Sequence, residues 1–210
     1  MAEKKSTWEK VDLLEGEWLR EESTLWRRSG DGNALEVATV AGSVWGDFGR
    51  SCPAMNTRLL PDERWGDALT AARLLLMANV RSHGEQAGLC WWASEENYVK
   101  LVVECMRDGR VALVLAVQQG GEPRVISKQY ASSATDSYRL SLRLVGANRL
   151  CATAVLGESG AEMPIGETEV PECREQMSSG LALIAHGGAP VDDLENRRWA
   201  RFVKLEVQRK

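Results

Sequence analysis

Between Gln86 and Glu104 the chain reads Q-A-G-L-C-W-W-A-S-E-E-N-Y-V-K-L-V-V-E, two largely apolar runs divided by the polar tetrad Ser94-Glu95-Glu96-Asn97. No other stretch restricts the fold as much. Successive side chains of an extended strand point to opposite faces. Val99, Leu101, Val103 and Cys105 therefore share one face of the second run, and Tyr98, Lys100, Val102 and Glu104 share the other. The first face suits a core. The second gathers an aromatic ring, a cation and a carboxylate, for which a sheet face used only in packing has little need. If the two runs pair across the tetrad, Gln86, Gly88, Cys90 and Trp92 join that second face.

Similar runs recur along the chain. Residues 1–11 are charged and aperiodic and are expected to form a flexible tail, with Trp8 able to dock; one domain is expected over 12–210. Glu17-Trp18-Leu19 opens the first strand. Thr24–Arg28 and Ala34–Val40 flank Ser29-Gly-Asp-Gly-Asn33, a hairpin turn in which Gly and Asn accept positive φ. Trp45-Gly-Asp-Phe48 is read as a short irregular strand or loop. Ala68–Val80 has helical composition but lacks a polar face at 3.6 spacing, and Arg73 and Asn79 fall on one alternate set, so it is read as a strand. Val111–Val117 is apolar on both faces, as in a strand covered on both sides. Ser137–Val145 alternates cleanly, with Tyr138, Leu140, Leu142 and Leu144 inward and Ser137, Arg139, Ser141 and Arg143 outward, and Arg149–Leu156 follows a Gly-Ala-Asn turn. Residues 157–179 are read as a loop, Gly180–His186 as an apolar strand, and Trp199–Val207 as the last strand. About a dozen strands between Gly, Asp-Gly and Asn turns indicate an all-β sandwich or barrel.

Composition narrows the function. A formal charge of −4 with well-mixed signs disfavours nucleic acid, which needs a basic patch. No segment approaches the roughly 20 apolar residues that cross a bilayer, and the first residues lack the apolar core of a signal peptide, so a cytoplasmic protein without membrane partners is expected. Five scattered cysteines with no C-x-x-C pair fit reduced thiols, and two histidines make zinc an unlikely ligand. No cofactor is expected. Asp31-Gly32-Asn33 is a turn rather than a calcium loop, because the rest of that pattern is missing. No G-x-S-x-G elbow, H-E-x-x-H or P-loop is present. Eight tryptophans against two phenylalanines suit a thick sandwich core and a sugar-stacking platform equally well.

Trp18, the Gly32 hairpin followed by Leu35, Trp45-Gly-Asp-Phe48, Gln86-Ala-Gly-Leu89 with Asn97-Tyr-Val-Lys100 and Glu104, Gly180-Leu181 and Ala200-Arg-Phe202 together resemble the domain-of-unknown-function family 1349. That family is named in part after a yeast regulation-of-enolase protein. The resemblance spans about Glu15 to Val207, and a similar element occurs in the C-terminal sandwich of some family 43 glycoside hydrolases. It implies a concanavalin A-like jelly-roll sandwich of two antiparallel sheets with a concave face. It implies little about activity, since such folds host lectins, glucanases and many binders. The E-x-D-x-(x)-E motif of the retaining glucanases of this fold is missing, and no E-x-D occurs anywhere.

The candidate ligand-binding residues are Gln86, Trp92, Tyr98, Lys100, Glu104 and His186. For Lys100 and Glu104 the plain alternative is bonding to neighbouring strands. Of Trp91 and Trp92, one must be core, and Trp92 is taken as the exposed member. His186 at a strand end is more often a solvated edge residue, His83 a surface one, and Cys90 and Cys105 small buried groups. The leading expectation is a non-catalytic binding domain for a carbohydrate or polyhydroxylated small ligand on the concave sheet. The alternatives are a protein-interaction module regulating a metabolic enzyme, with a protein partner, and a glycosidase or lyase using Glu104. The last ranks lowest because retaining chemistry needs two carboxyls about 5 Å apart.

Overall fold

A computed structural model describes residues 7–44, 54, 56–60, 69–131, 135–171, 180–193 and 195–210. Trp45-Gly-Asp-Phe48, Cys52 and Cys173 lie outside the described residues. The strands in chain order are β1 (Glu9–Val11), β2 (Glu17–Leu19), β3 (Trp26–Arg28), β4 (Leu35–Ala38), β5 (Thr57–Leu60), β6 (Leu69–Met77), β7 (Gln86–Ser94) and β8 (Asn97–Cys105). They continue with β9 (Val111–Gln119), β10 (Glu122–Tyr130), β11 (Ser137–Val145), β12 (Arg149–Leu156), β13 (Met163–Glu169), β14 (Gly180–His186) and β15 (Trp199–Arg209). One 3-10 turn, Ser23–Leu25, precedes β3. The protein is an all-β sandwich. One sheet runs β13-β12-β11-β6-β15-β4-β3 with β1 added to β15, and the other runs β10-β9-β8-β7-β14-β5-β2.

Alternation decides which side chains meet between the sheets. Leu89, Trp91, Leu101 and Leu115 of the seven-stranded sheet join Leu74, Leu140, Leu142 and Phe202 of the eight-stranded one in a single apolar core. The segment Leu69–Met77 is a strand, as its period predicts; burial on a pleated surface overrides the helical propensity of Ala and Leu. Strand β14 is buried along its whole length because it lies inside its sheet and is covered on both faces. Gly109 at φ +79° closes the turn before β9, a backbone region that other residues rarely enter.

Two segments differ from the expectation. Within 157–179, read as a loop, Met163–Glu169 forms edge strand β13 on β12. Pro164 and Gly166 hide its alternation, and an edge position tolerates a proline because one side of the strand makes no ladder bonds. The Ser127 hydroxyl and the Gln129 amide of β10 donate to the carbonyls of Ile165 and Pro164, fastening this edge to the other sheet. Gly166 makes the approach possible: a Cβ there would lie 3.0 Å from the Ser127 Cβ. At the other end, Glu9–Val11, expected within a tail, pairs with Leu205–Val207 of β15.

Candidate functional site

The β7–β8 hairpin has the register that the alternation anticipated. Trp92 pairs with Tyr98, Cys90 with Lys100, Gly88 with Val102 and Gln86 with Glu104. Strand β14 sets His186 beside Gln86, and β9 sets Gln118 beside Tyr98. All six expected residues therefore share the second face of the seven-stranded sheet. His186, Gln86 and Glu104 form one row across it, and Trp92, Tyr98 and Gln118 another.

The face is not open as expected. Tyr98 and Lys100 are 0% and 1% exposed and His186 is 2% exposed, while Trp92 and Glu104 keep partial exposure. Val44 and Ala54, from the connection between β4 and β5, pack with Cys90, Tyr98, Val102, Val114 and Ile184 in a second apolar cluster over this face. Strand periodicity fixes which residues share a face but says nothing of what a distant connection lays upon it. His186 accordingly is no solvated edge residue. Trp91 is core, His83 is exposed and Cys90 is fully buried.

Within this closed face the polar groups are largely matched. The Lys100 ammonium donates to Gln86 Oε1 at 2.8 Å. Lys100 stands opposite Cys90, and Gln86 lies four residues further along β7, roughly 13 Å at about 3.3 Å per residue. At Gly88, between Cys90 and Gln86 on the same face, a Cβ would strike Leu101 O at 2.3 Å. The Tyr98 hydroxyl lies 2.9 Å from Val44 O and 3.0 Å from Gln118 Oε1, and its ring stacks on Trp92 at 5.1 Å between centroids. The His186 Nδ1 sits 3.0 Å from Gly42 O. A carbonyl only accepts, so Nδ1 carries the proton and Nε2 is left as the acceptor. Among the described residues Nε2 has no hydrogen-bond partner.

Burial governs the charges. It pushes Lys100 down to about 8, although the nearby Cys90 and Glu104 act the other way. It pushes the Cys90 thiol up to about 12 against the pull of Lys100. It also raises Tyr98, helped by Cys90 and Glu95. His186 falls to about 3, through burial first and the neighbouring Lys100 second, and the bond to Gly42 only partly offsets them. The imidazole is neutral at physiological pH.

A second buried polar cluster escaped the sequence reading. Glu85, 0% exposed, accepts from Arg198 Nε with both oxygens at 2.9 Å, from the Arg81 and Ser82 amides at 2.7 and 2.9 Å, and from the Thr39 hydroxyl at 2.5 Å. Burial alone would raise this carboxyl, but those donors outweigh it and the net shift is downward. Arg58 similarly holds the carbonyls of Leu13 and Leu14 while stacking on Trp18. Partners 113 residues apart leave no local signal. Among the described residues no group of three or more His, Cys, Asp or Glu is placed to hold a metal ion.

No protein-family model matches the chain, and no curated protein matches it. Solved structures do. The GH43 BlXynB protein from Bacillus licheniformis is similar over 89% of this chain at TM-score 0.70 and 15% identity, with 35% of that chain covered. The GH43B protein of a Bacteroides ovatus xyloglucan locus is similar over 92% at TM-score 0.72 and 12% identity, with 36% covered. A Bacillus licheniformis β-glucanase is similar over 97% at TM-score 0.54 and 9% identity, with 92% of it covered. The chain spans about a third of the length of the GH43 proteins. At these identities the likeness shows the fold, a concanavalin A-like jelly roll.

Proposed function

We propose that the second face of the seven-stranded sheet binds a carbohydrate or another polyhydroxylated small molecule without cleaving it. The observation that carries this reading is the partly exposed Trp92, stacked on Tyr98 at 5.1 Å between ring centroids, on the same face as the partly exposed Glu104. Glu104, partly exposed on the same face, offers a polar contact to the same ligand. Trp92, backed by Tyr98 and partly exposed, offers the flat apolar surface on which a sugar ring stacks. The solved structures of similar fold include a xylan β-1,4-xylosidase and a β-glucanase, which supports this ligand class. The absence of cleavage rests on Glu104, whose register neighbours Gln86 and Ala112 carry no second carboxylate.

A glycan array followed by calorimetry on the best ligand tests the reading. Trp92→Ala and Glu104→Ala are each expected to weaken binding, by about tenfold or more for the first, a loss of about 1.4 kcal/mol. No binding, or binding indifferent to both changes, removes the proposal and leaves a protein-interaction module as the better reading.

A further inference from the structure

The other sheet turns a different surface to solvent. Register places Arg139 and Arg143 on either side of Ser141 in β11, with Arg73 of β6 directly opposite Ser141 and Thr153 of β12 on its other flank. Directly opposed side chains in such a ladder have Cβ atoms about 5 Å apart and diagonal ones about 7–8 Å apart. Three guanidinium stems thus rise around one serine. They line a groove of about 550 Å³, walled by Trp8 on one side and by Gly160 and Glu162 on the other. A second groove of about 340 Å³, lined by Arg73, Leu75, Arg139, Lys204 and Glu206, shares Arg73 and Arg139 with the first. The two make one continuous channel across β12, β11, β6 and β15.

The carboxylates lining this channel are already committed. Glu206 pairs with Arg73 at 2.6 Å and with Lys204 at 2.7 Å, and Glu162 accepts from the Thr153 hydroxyl at 2.7 Å. Arg73 also lies over the Trp8 ring at 4.1 Å, which holds that wall in place. Arg139 and Arg143 are exposed, and among the described residues neither takes part in an ion pair. Two uncompensated guanidinium groups on a chain of net charge −4 form a local positive field on an acidic protein.

We propose that this channel binds an acidic oligosaccharide, one bearing carboxylates or sulfates along its length, at a site separate from the face under Trp92. Charge complementarity calls for an anion, and guanidinium groups hold carboxylates and sulfates through paired hydrogen bonds. The channel crosses interior strands whose backbone groups are already paired within the sheet, so a peptide cannot bind there by adding a strand. Ser141 and Thr153 on its floor present hydroxyls that a polyhydroxylated ligand can meet. A hydroxylated, charged chain lying across several strands fits both features.

Calorimetric titration of the full chain with oligogalacturonate, its neutral methyl ester and poly-glutamate tests the proposal. The expected result is binding of oligogalacturonate alone, weakened by added salt and by about tenfold or more in Arg139→Gln or Arg143→Gln, and unchanged in Trp92→Ala. Both arginines are exposed, so neither change threatens folding. Absence of binding, equal binding of the methyl ester, equal binding of poly-glutamate, or binding indifferent to both arginine changes would each overturn it. A neutral glycan lost in Trp92→Ala reports on the other face, so the two sites stand or fall separately.

Discussion

The two buried polar clusters, around Glu85 and around Lys100 with His186, meet the same penalty in different ways. Glu85 has every oxygen engaged by a guanidinium, two amides and a hydroxyl. His186 is as deeply buried, yet its Nε2 has no donor among the described residues. Desolvation is costly for both, but in the first it is offset within the chain. A saturated cluster fastens the fold, here tying the segment before β7 to the segment before β15. An unsaturated one leaves that cost in the folded state.

The comparison can be broken by substitution. Glu85→Ala should give the largest effect, a loss of about 3–5 kcal/mol in chemical denaturation, because it strands Arg198 without its partner in a part-buried site. A change below about 1 kcal/mol would show that the Glu85 cluster is not structural.

Acidification sharpens it. The folded His186 sits near 3 against an ordinary 6.5, so the unfolded chain binds the extra proton between those values. Stability should therefore fall as the pH drops from about 6.5 towards 3, at up to roughly 1.4 kcal/mol per pH unit from this group. Glu85 is depressed instead, so its contribution is present above an ordinary 4.5 and is lost only as the pH falls below it. His186→Phe should flatten the stability curve between pH 6.5 and 4.5 while keeping the loss below 4.5. An unchanged upper limb would mean that the imidazole is not buried neutral.

Lys100 has a signature of the same sign at alkaline pH. Its folded value near 8 lies below an ordinary 10.5, so stability from this group rises between those pH values as the burial penalty of the charge disappears. Cys90, pushed up to about 12, opposes that rise above about pH 9. The difference in stability between the wild type and Lys100→Met therefore isolates the lysine and should move in favour of the wild type from pH 8 to 10.5. The smallest effect is expected for His186→Phe at neutral pH, about 1 kcal/mol or less, since only the bond to Gly42 is lost. A much larger loss would place His186 with Glu85 among the structural groups.

Much of the fold was legible locally. Clean alternation in Ser137–Val145 and Asn97–Cys105 gave strands, faces and partners, because a period of two leaves little freedom once one face must be buried. The five residues read onto one face of the β7–β8 hairpin do share it for the same reason, whereas His186 joins them only through the pairing of β14 with β7. Strand β13 was missed because Pro164 and Gly166 break its pattern, and only the bonds from Ser127 and Gln129 fix it in place. The Glu85 cluster was missed because Thr39, Glu85 and Arg198 come from three distant segments. The arginines of β11 were read as an outward face, but their convergence with Arg73 depends on which strand lies beside β11.

From its residues alone this chain was bound to form a layered β structure in which Tyr98, Lys100 and Glu104 share one side of a strand, since side-chain alternation is a property of the extended backbone itself. Only the tertiary structure decided that Val44 and Ala54 close over that side and that Arg73 stands opposite Ser141. Those outcomes depend on contacts between residues far apart in sequence, and a period of two carries no information about them.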